Sequence, residues 1–67
     1  MTTQEKCLFI IKEFEMSARQ VGLAIGVAAK TASAKMKNQN YNKFLDEDFE
    51  KLKSSIFDKV KKIKDLN

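Results

Sequence analysis

Apolar residues near the start of the chain recur at steps of three and four, which is the spacing of one face of an α-helix. The residues on this face predict a helix over 3–15: Cys7, Ile10, Ile11 and Phe14. Phe9 falls off the centre of the face, so we expect it to be partly exposed. Cys7 is expected to be a small core residue, because no basic neighbour or helix N-terminus is available to activate its thiol.

The next apolar positions predict two short helices that are separated by a glycine. Ser17 and Gln20 have the spacing of a capping box, and Met16 and Val21 have that of a hydrophobic staple, so a helix is expected to begin after Ser17. Gly26 can adopt the left-handed conformation that ends a helix at little cost. A second helix is expected over 28–37, burying an alanine and a methionine on its inner face: Ala32 and Met36.

An asparagine-rich loop over 38–44 precedes a long helix that is predicted from residue 46 to about residue 65. Six apolar side chains of this region fall within an arc of roughly 80° on a helical wheel: Leu45, Phe49, Leu52, Ile56, Val60 and Ile63. The acidic run 46–48 and the lysines near the other end suit the helix dipole, and we expect the acids to be solvated. A domain with three other short helices can cover only about half of such a helix, which is about 30 Å long.

The uncovered segment, residues 56–67, is therefore expected to join two copies of the chain as a helix pair. One alternative folds this tail back over the first helix as a fifth short helix. Another is an α+β domain in which residues 54–63 form strands, but that segment fits the helical period and has no turn signal. Tyr41 in the preceding loop has two open roles: it contacts a phosphate, or it packs over the edge of the core.

Composition limits the range of functions. Sixty-seven residues with 43% hydrophobic and 33% charged content predict a single globular domain over 1–67. The absence of histidine excludes a Cys/His zinc site and any Ser-His or Cys-His nucleophile, and two glycines cannot form a glycine-rich phosphate loop. We therefore expect a protein that is not an enzyme and needs no cofactor or metal. Since no signal-peptide layout or membrane-length apolar run is present, we expect a cytoplasmic protein that makes no use of a membrane.

Charge is distributed unevenly along the chain. The net charge is +4, but residues 16–45 contain no Asp or Glu and carry five cations, so all nine acids lie outside this stretch. The five are Arg19, Lys30, Lys35, Lys37 and Lys43. Such segregation is typical of a surface that binds a polyanion.

Several short motifs in and after this stretch resemble those of one DNA-binding family. These are Gly22, Ile25-Gly26-Val27, Thr31-Ala32-Ser33, Lys35-Met36-Lys37-Asn38, and then Phe44, Phe49 and Leu52 with the spacing of a fourth helix. Over residues 5–55 the chain resembles the lambda-repressor/Cro-like (Xre-type) helix-turn-helix family. The resemblance implies an all-α bundle of four or five helices and sequence-specific binding of double-stranded DNA. It further implies a transcriptional regulator, such as a repressor, of a phage or bacterial kind, which inserts helix 28–37 into the major groove.

The resemblance also assigns roles to individual residues. Residues expected to read bases are Ala28, Ala29, Lys30, Ser33 and Ala34. Residues expected to bind phosphates are Ser17, Arg19, Gln20, Thr31, Lys35, Lys37, Tyr41 and Lys43. Dimerisation is assigned from the uncovered stripe of the last helix and not from the resemblance, to Ile56, Phe57, Val60, Ile63 and Leu66.

Several positions depart from the family pattern, and two other functions remain open. Alanines stand at three of the base-reading positions, which leaves few side chains for hydrogen bonds to bases. One alternative function is a protein-interaction module that uses the apolar stripe of the last helix. The other is a nucleic-acid binder that tolerates many sequences.

Overall fold

The computed structural model describes residues 1–39 and 41–66 and contains four helices there. They are α1 (Thr3–Glu13), α2 (Ala18–Ile25), α3 (Ala29–Lys37) and α4 (Asp46–Lys64). No strand occurs among the described residues, so the all-α prediction is confirmed and the α+β alternative is wrong. Asn40, in the predicted loop, and Asn67, at the end of the predicted dimerisation segment, lie outside the described residues.

α1 begins at a cap that the apolar pattern does not reveal. The Thr2 hydroxyl accepts a hydrogen bond from the Glu5 backbone N–H, and the Glu5 carboxylate accepts one from the Thr2 N–H. The helix ends at Glu13 rather than at residue 15, because Glu15 has a positive φ of 49° that a helix cannot accommodate. The placement of Phe14 on the apolar face of this helix is therefore wrong, and its side chain is exposed.

Side chains from all four helices and from the segments that connect them form one hydrophobic core. α2 packs against α3 and α4, and α1 packs against α4. The buried apolar residues are Cys7, Ile11, Met16, Val21, Ile25, Ala32, Phe44, Leu52 and Ile56. Phe9 is exposed, as predicted.

The turn between α2 and α3 depends on two glycines for different reasons. Gly26 follows the last residue of α2 at φ 80°, as predicted, and its N–H donates to the Gly22 carbonyl. Gly22 is buried inside α2, and a Cβ atom there would lie 2.6 Å from the carbonyl oxygen of Val27. The absence of a side chain at Gly22 therefore lets the chain entering α3 pass directly against α2.

α4 is one continuous helix, and the fold-back alternative is not what the described residues adopt. Its start lies beside the start of α1, since Thr3 Oγ1 donates to Asp46 and the Lys6 ammonium lies 5.4 Å from the centroid of the Phe49 ring. Ile56 is buried in the core of its own chain, so its assignment to dimerisation is wrong. No helix in the described part of the chain combines the length and apolar character needed to cross a membrane.

Candidate nucleic-acid interface

The N-terminus of α2 has the predicted capping box. The Ser17 hydroxyl accepts from the Gln20 N–H at 3.2 Å, and Gln20 Oε1 accepts from the Ser17 N–H at 2.9 Å. Both side chains are exposed, as is Arg19 beside them. The box fixes where α2 starts, and its amide dipoles give this exposed corner a positive potential that suits an anion.

α3 presents its first residues to solvent. Ala28, which precedes the helix, and Ala29 and Lys30 in its first turn are exposed, while Thr31, Ser33 and Ala34 are half-buried. Ala28 provides no side-chain cap, so the N-terminal N–H groups of α3 have no side-chain acceptor there. Of the five residues expected to read bases, Lys30 is the only one with a long polar side chain, and Ser33 and Ala34 have reduced access to a ligand.

Four cations of the acid-free stretch are exposed in α2, in α3 and in the segment that follows α3: Arg19, Lys30, Lys37 and Lys43. Among residues 1–39 and 41–66, none of them lies within ion-pair distance of a carboxylate. Ion pairs elsewhere on the surface link Lys51 to Glu47 and Lys53 to Glu50 within α4. These four side chains are thus exposed and have no ion-pair partner among the described residues.

The fifth cation, Lys35, is engaged inside the protein. Its ammonium lies 2.6 Å from Asp48 Oδ2, and the two side chains are only 13% and 8% exposed. The same carboxylate oxygen accepts the Leu45 N–H at 2.9 Å. The assignment of Lys35 to phosphate binding is therefore wrong, since its charge is already neutralised. The prediction of a solvated acidic run is wrong for Asp48 as well, because this carboxylate is buried.

Burial and hydrogen bonding act on the Asp48 carboxyl in opposite directions. Burial favours the neutral acid, but the Leu45 N–H and the Lys35 ammonium favour the carboxylate, and together they hold the pKa of Asp48 below its usual range. Asp48 is therefore charged at neutral pH, and the bridge between α3 and α4 is a true ion pair.

A second bridge, made by Gln4 of α1, holds the same region. Its Nε2 donates to the Lys35 carbonyl at 2.7 Å, and its Oε1 accepts the Phe44 N–H at 2.8 Å. Gln4 and Asp48 therefore fix both ends of the segment 36–43, which carries Lys37, Tyr41 and Lys43. Sequence reasoning missed Gln4, because nothing in a lone glutamine on a helix indicates partners that are 31 and 40 residues away.

Tyr41 and Cys7 are fully exposed and fully buried, respectively, which decides their roles. Tyr41 is fully exposed at a positive φ of 63°, so the alternative in which it packs over the core edge is wrong. Cys7 is fully buried, and burial raises the pKa of its thiol to about 11. Cys7 is thus an inert core residue, as predicted. No cluster of three possible metal ligands occurs in the described part of the chain.

In comparisons with known proteins, no protein-family model, curated protein or solved structure matches the chain.

Proposed function

We propose that this protein binds double-stranded DNA as a helix-turn-helix transcriptional regulator of a phage or bacterial kind, with α3 in the major groove. One observation carries the proposal. The acid-free stretch of the sequence folds into α2, a glycine turn, α3 and the following loop, and its four exposed cations have no carboxylate partner among the described residues. A face of this kind attracts a polyanion, and a helix that presents its N-terminal residues is suited to a DNA groove.

Phosphate binding is proposed for two groups, one before and one near the end of α3 in the chain. The first is the capped N-terminus of α2 with Arg19, where a backbone phosphate would meet amide N–H groups and a guanidinium. The second is Lys37, Tyr41 and Lys43, on the segment that Gln4 and Asp48 hold in place. Thr31, which is half-buried, would contribute at most its hydroxyl.

Base reading is proposed for the first turn of α3. Lys30 can donate to guanine O6 or N7, and the methyl groups of Ala28 and Ala29 can contact thymine methyls. With so few hydrogen-bonding side chains, DNA shape is expected to contribute to the preference.

The first test is the salt dependence of duplex binding. About four phosphate contacts per protomer predict a slope of log affinity against log salt near −3.6 per protomer. Lys37→Ala should weaken all duplexes alike and reduce the slope by about one unit, because one counterion fewer is released. Lys12→Ala is the matched control, because it removes an exposed lysine of α1 that lies outside the acid-free stretch. Its slope should equal that of the wild type.

The outcome of that experiment separates the candidate functions. If no duplex binds at low salt, a protein-interaction module that uses α4 becomes the better account. If single-stranded RNA binds better than duplex DNA, the assignment of α3 to the major groove is wrong. Equal affinity for all duplexes would favour a binder that tolerates many sequences.

The second test concerns base reading. Lys30→Ala should lose about 1–3 kcal/mol of discrimination at one or two base pairs, and replacing thymine by uracil in the bound site should remove the contacts of Ala28 and Ala29. Affinity is measured for the preferred duplex and for single-base variants at fixed salt. If both changes leave the sequence preference intact, α3 is not the reading element.

We also propose that the protein acts as a homodimer. Four of the five apolar residues assigned to this role remain exposed at the end of the chain: Phe57, Val60, Ile63 and Leu66.

A further inference from the structure

The distal part of α4 extends beyond the end of α1. The contacts of Thr3 with Asp46 and of Lys6 with Phe49 keep the same sequence offset of 43 residues, so α1 and α4 run in the same direction from a common start. At that offset the last residue of α1, Glu13, lies level with residue 56. α4 continues to Lys64, about 12 Å further at 1.5 Å per residue.

This overhang has an apolar stripe with lysines on its two flanks. Beyond the buried Ile56, the stripe continues with Val60 and Ile63 at steps of four and three, which is the repeat of a helix pair, and these two side chains are 37% and 65% exposed. Lys59 lies on one flank of this stripe, and Lys64 lies on the other beside Phe57. The acids of the overhang, Asp58 and Asp65, lie on the opposite side of the helix.

We infer that a second copy of this chain covers the stripe as an antiparallel helix pair. An antiparallel arrangement packs Val60 of each copy against Ile63 of the other and buries the stripe on itself. It also places Lys64 beside Phe57 of the second copy. A lysine beside a phenylalanine is a favourable contact that α4 already makes once, where the Lys53 ammonium lies 4.6 Å from the Phe49 ring centroid.

Charge disfavours the parallel arrangement of the same two helices. In a parallel pair, flanking residues that are five positions apart face each other across the interface. Lys59 would then meet Lys64 of the second copy, and symmetry would repeat this repulsion. The antiparallel pair keeps these two lysines on opposite flanks.

The antiparallel pair also places both α3 helices on one side, which extends the proposed function and rests on it. Asp48, which holds Lys35 of α3, and Lys59 lie within about 20° of each other around α4. α3 therefore lies on the same flank of α4 as Lys59. The two-fold axis of an antiparallel pair is perpendicular to both helices, so the Lys59 flanks of the two copies face the same side of the dimer. A parallel pair would put the two α3 helices on opposite sides.

The same geometry sets the spacing of the two DNA-binding units. Leu52, in the core, is about ten residues along α4 from the midpoint of Val60 and Ile63, or about 14 Å. The two cores are then about 30 Å apart along the helix axis, and the two Asp48 contacts that hold the α3 helices are about 40 Å apart. Half-sites one turn of DNA apart are separated by about 34 Å. We therefore expect an inverted repeat with half-sites separated by about one turn.

Self-association is tested by sedimentation equilibrium of the full chain without DNA. The wild type should approach twice its mass of 7.7 kDa at high micromolar concentration. Ile63→Asp should raise the dimer dissociation constant by at least about tenfold, because it places an unpaired charge in the interface. The control is Phe9→Asp, an exposed apolar residue on α1, which should leave the constant unchanged. Lys59→Glu is the second variant. In a parallel pair it would strengthen association by meeting Lys64, whereas the antiparallel pair predicts no gain.

Orientation is tested by a spin label on Glu47→Cys, near the start of α4. Native Cys7 takes no label, because its thiol is fully buried. Labels in the antiparallel pair should be about 45 Å apart, and in a parallel pair about 10–20 Å apart.

Each outcome decides the inference. A wild type that sediments as a monomer overturns it. So does a monomer that binds phosphatidylglycerol vesicles but not phosphatidylcholine vesicles, since the stripe would then cover a lipid surface. A label distance near 15 Å overturns the antiparallel arrangement. A dimer with labels about 45 Å apart that binds no duplex supports the pairing and removes the proposed DNA-binding function instead.

Discussion

Removal of the Asp48 carboxylate gives the most direct energetic test of how α3 is held. Asp48→Ala deletes the partner of two groups at once: the Lys35 ammonium at 2.6 Å and the Leu45 N–H at 2.9 Å. Neither group has another hydrogen-bond acceptor among the described side chains. The variant therefore leaves a nearly buried cation and the N–H of Leu45, the residue before α4, without protein partners.

The magnitude follows from how far each group can reach water. An unsatisfied backbone donor costs about 1–3 kcal/mol, and loss of one partner of a fully buried pair costs about 3–5 kcal/mol. The Lys35 side chain is 13% exposed, and a lysine can rotate toward solvent, so its share lies well below that range. We expect Asp48→Ala to lower the free energy of unfolding by about 2–3 kcal/mol. A domain of this size has about 3–10 kcal/mol in total, so the loss is large.

Asp48→Asn separates the charge from the hydrogen bond and gives a pH dependence of known sign. The asparagine oxygen can still accept the Leu45 N–H, so the variant should lose less stability than Asp48→Ala. In the wild type the pKa of Asp48 is lower in the folded state than in the unfolded state. Its stabilising contribution is thus fully present above the unfolded pKa, near 4, and is lost as the pH falls through the folded pKa. The difference between wild type and Asp48→Asn should accordingly shrink below about pH 4.

Urea unfolding, followed by helical circular dichroism at several pH values, measures these differences. Asp58→Asn is the control: it removes an exposed acid from the same helix and should change the free energy of unfolding by less than about 0.5 kcal/mol at every pH. If Asp48→Ala is as stable as this control, the ion pair does not hold α3. A difference between wild type and Asp48→Asn that grows as the pH falls would contradict the sign of the pKa shift.

Two further predictions concern the turn and the Gln4 bridge. Gly22→Ala should cost more stability than Gly26→Ala, because the new methyl group would meet the Val27 carbonyl at 2.6 Å, and this clash outweighs the helix preference of alanine. The methyl group of Gly26→Ala meets nothing within 4 Å, so this variant should cost only about 1 kcal/mol for its left-handed backbone. Equal melting temperatures for the two variants would contradict this. Gln4→Ala should cost about 1–3 kcal/mol in urea unfolding by leaving the Phe44 N–H without its acceptor. An unchanged midpoint would show that water replaces the bridge.

The sequence predicted the elements whose causes are local. The start of α2 depends on Ser17 and Gln20, which are three residues apart, and its end depends on the freedom of Gly26 to adopt a positive φ. The period of α4 extends over many residues, so no break was expected, and none occurs up to Lys64. Errors occurred where the backbone leaves a helix, as at Phe14, since a periodic pattern does not state where it stops.

The candidate site was predictable in position but not in the state of each charge. Counting cations along the acid-free stretch treats Lys35 like Lys37. The difference between them is a carboxylate 13 residues away that α4 places against Lys35. The acid-free stretch gives no indication of this pairing, because Asp48 lies just beyond its end. Gln4 was missed for the same reason, as its partners belong to segments that only the tertiary fold brings to α1.

The ion pair has a consequence for the proposed dimer, because Asp48 lies on the helix that would join the two copies. α3 is fastened to α4 through Lys35, and α4 continues without a break into the overhang that bears Ile63. The distance between two α3 helices in an antiparallel pair then depends on a rigid helix and a buried contact rather than on a flexible linker. Such a dimer should tolerate little variation in half-site spacing. Asp48→Asn weakens the fastening while it leaves the overhang intact, so it should broaden the range of accepted spacings before it prevents pairing. If wild type and Asp48→Asn accept the same spacings, α3 is positioned by core packing alone.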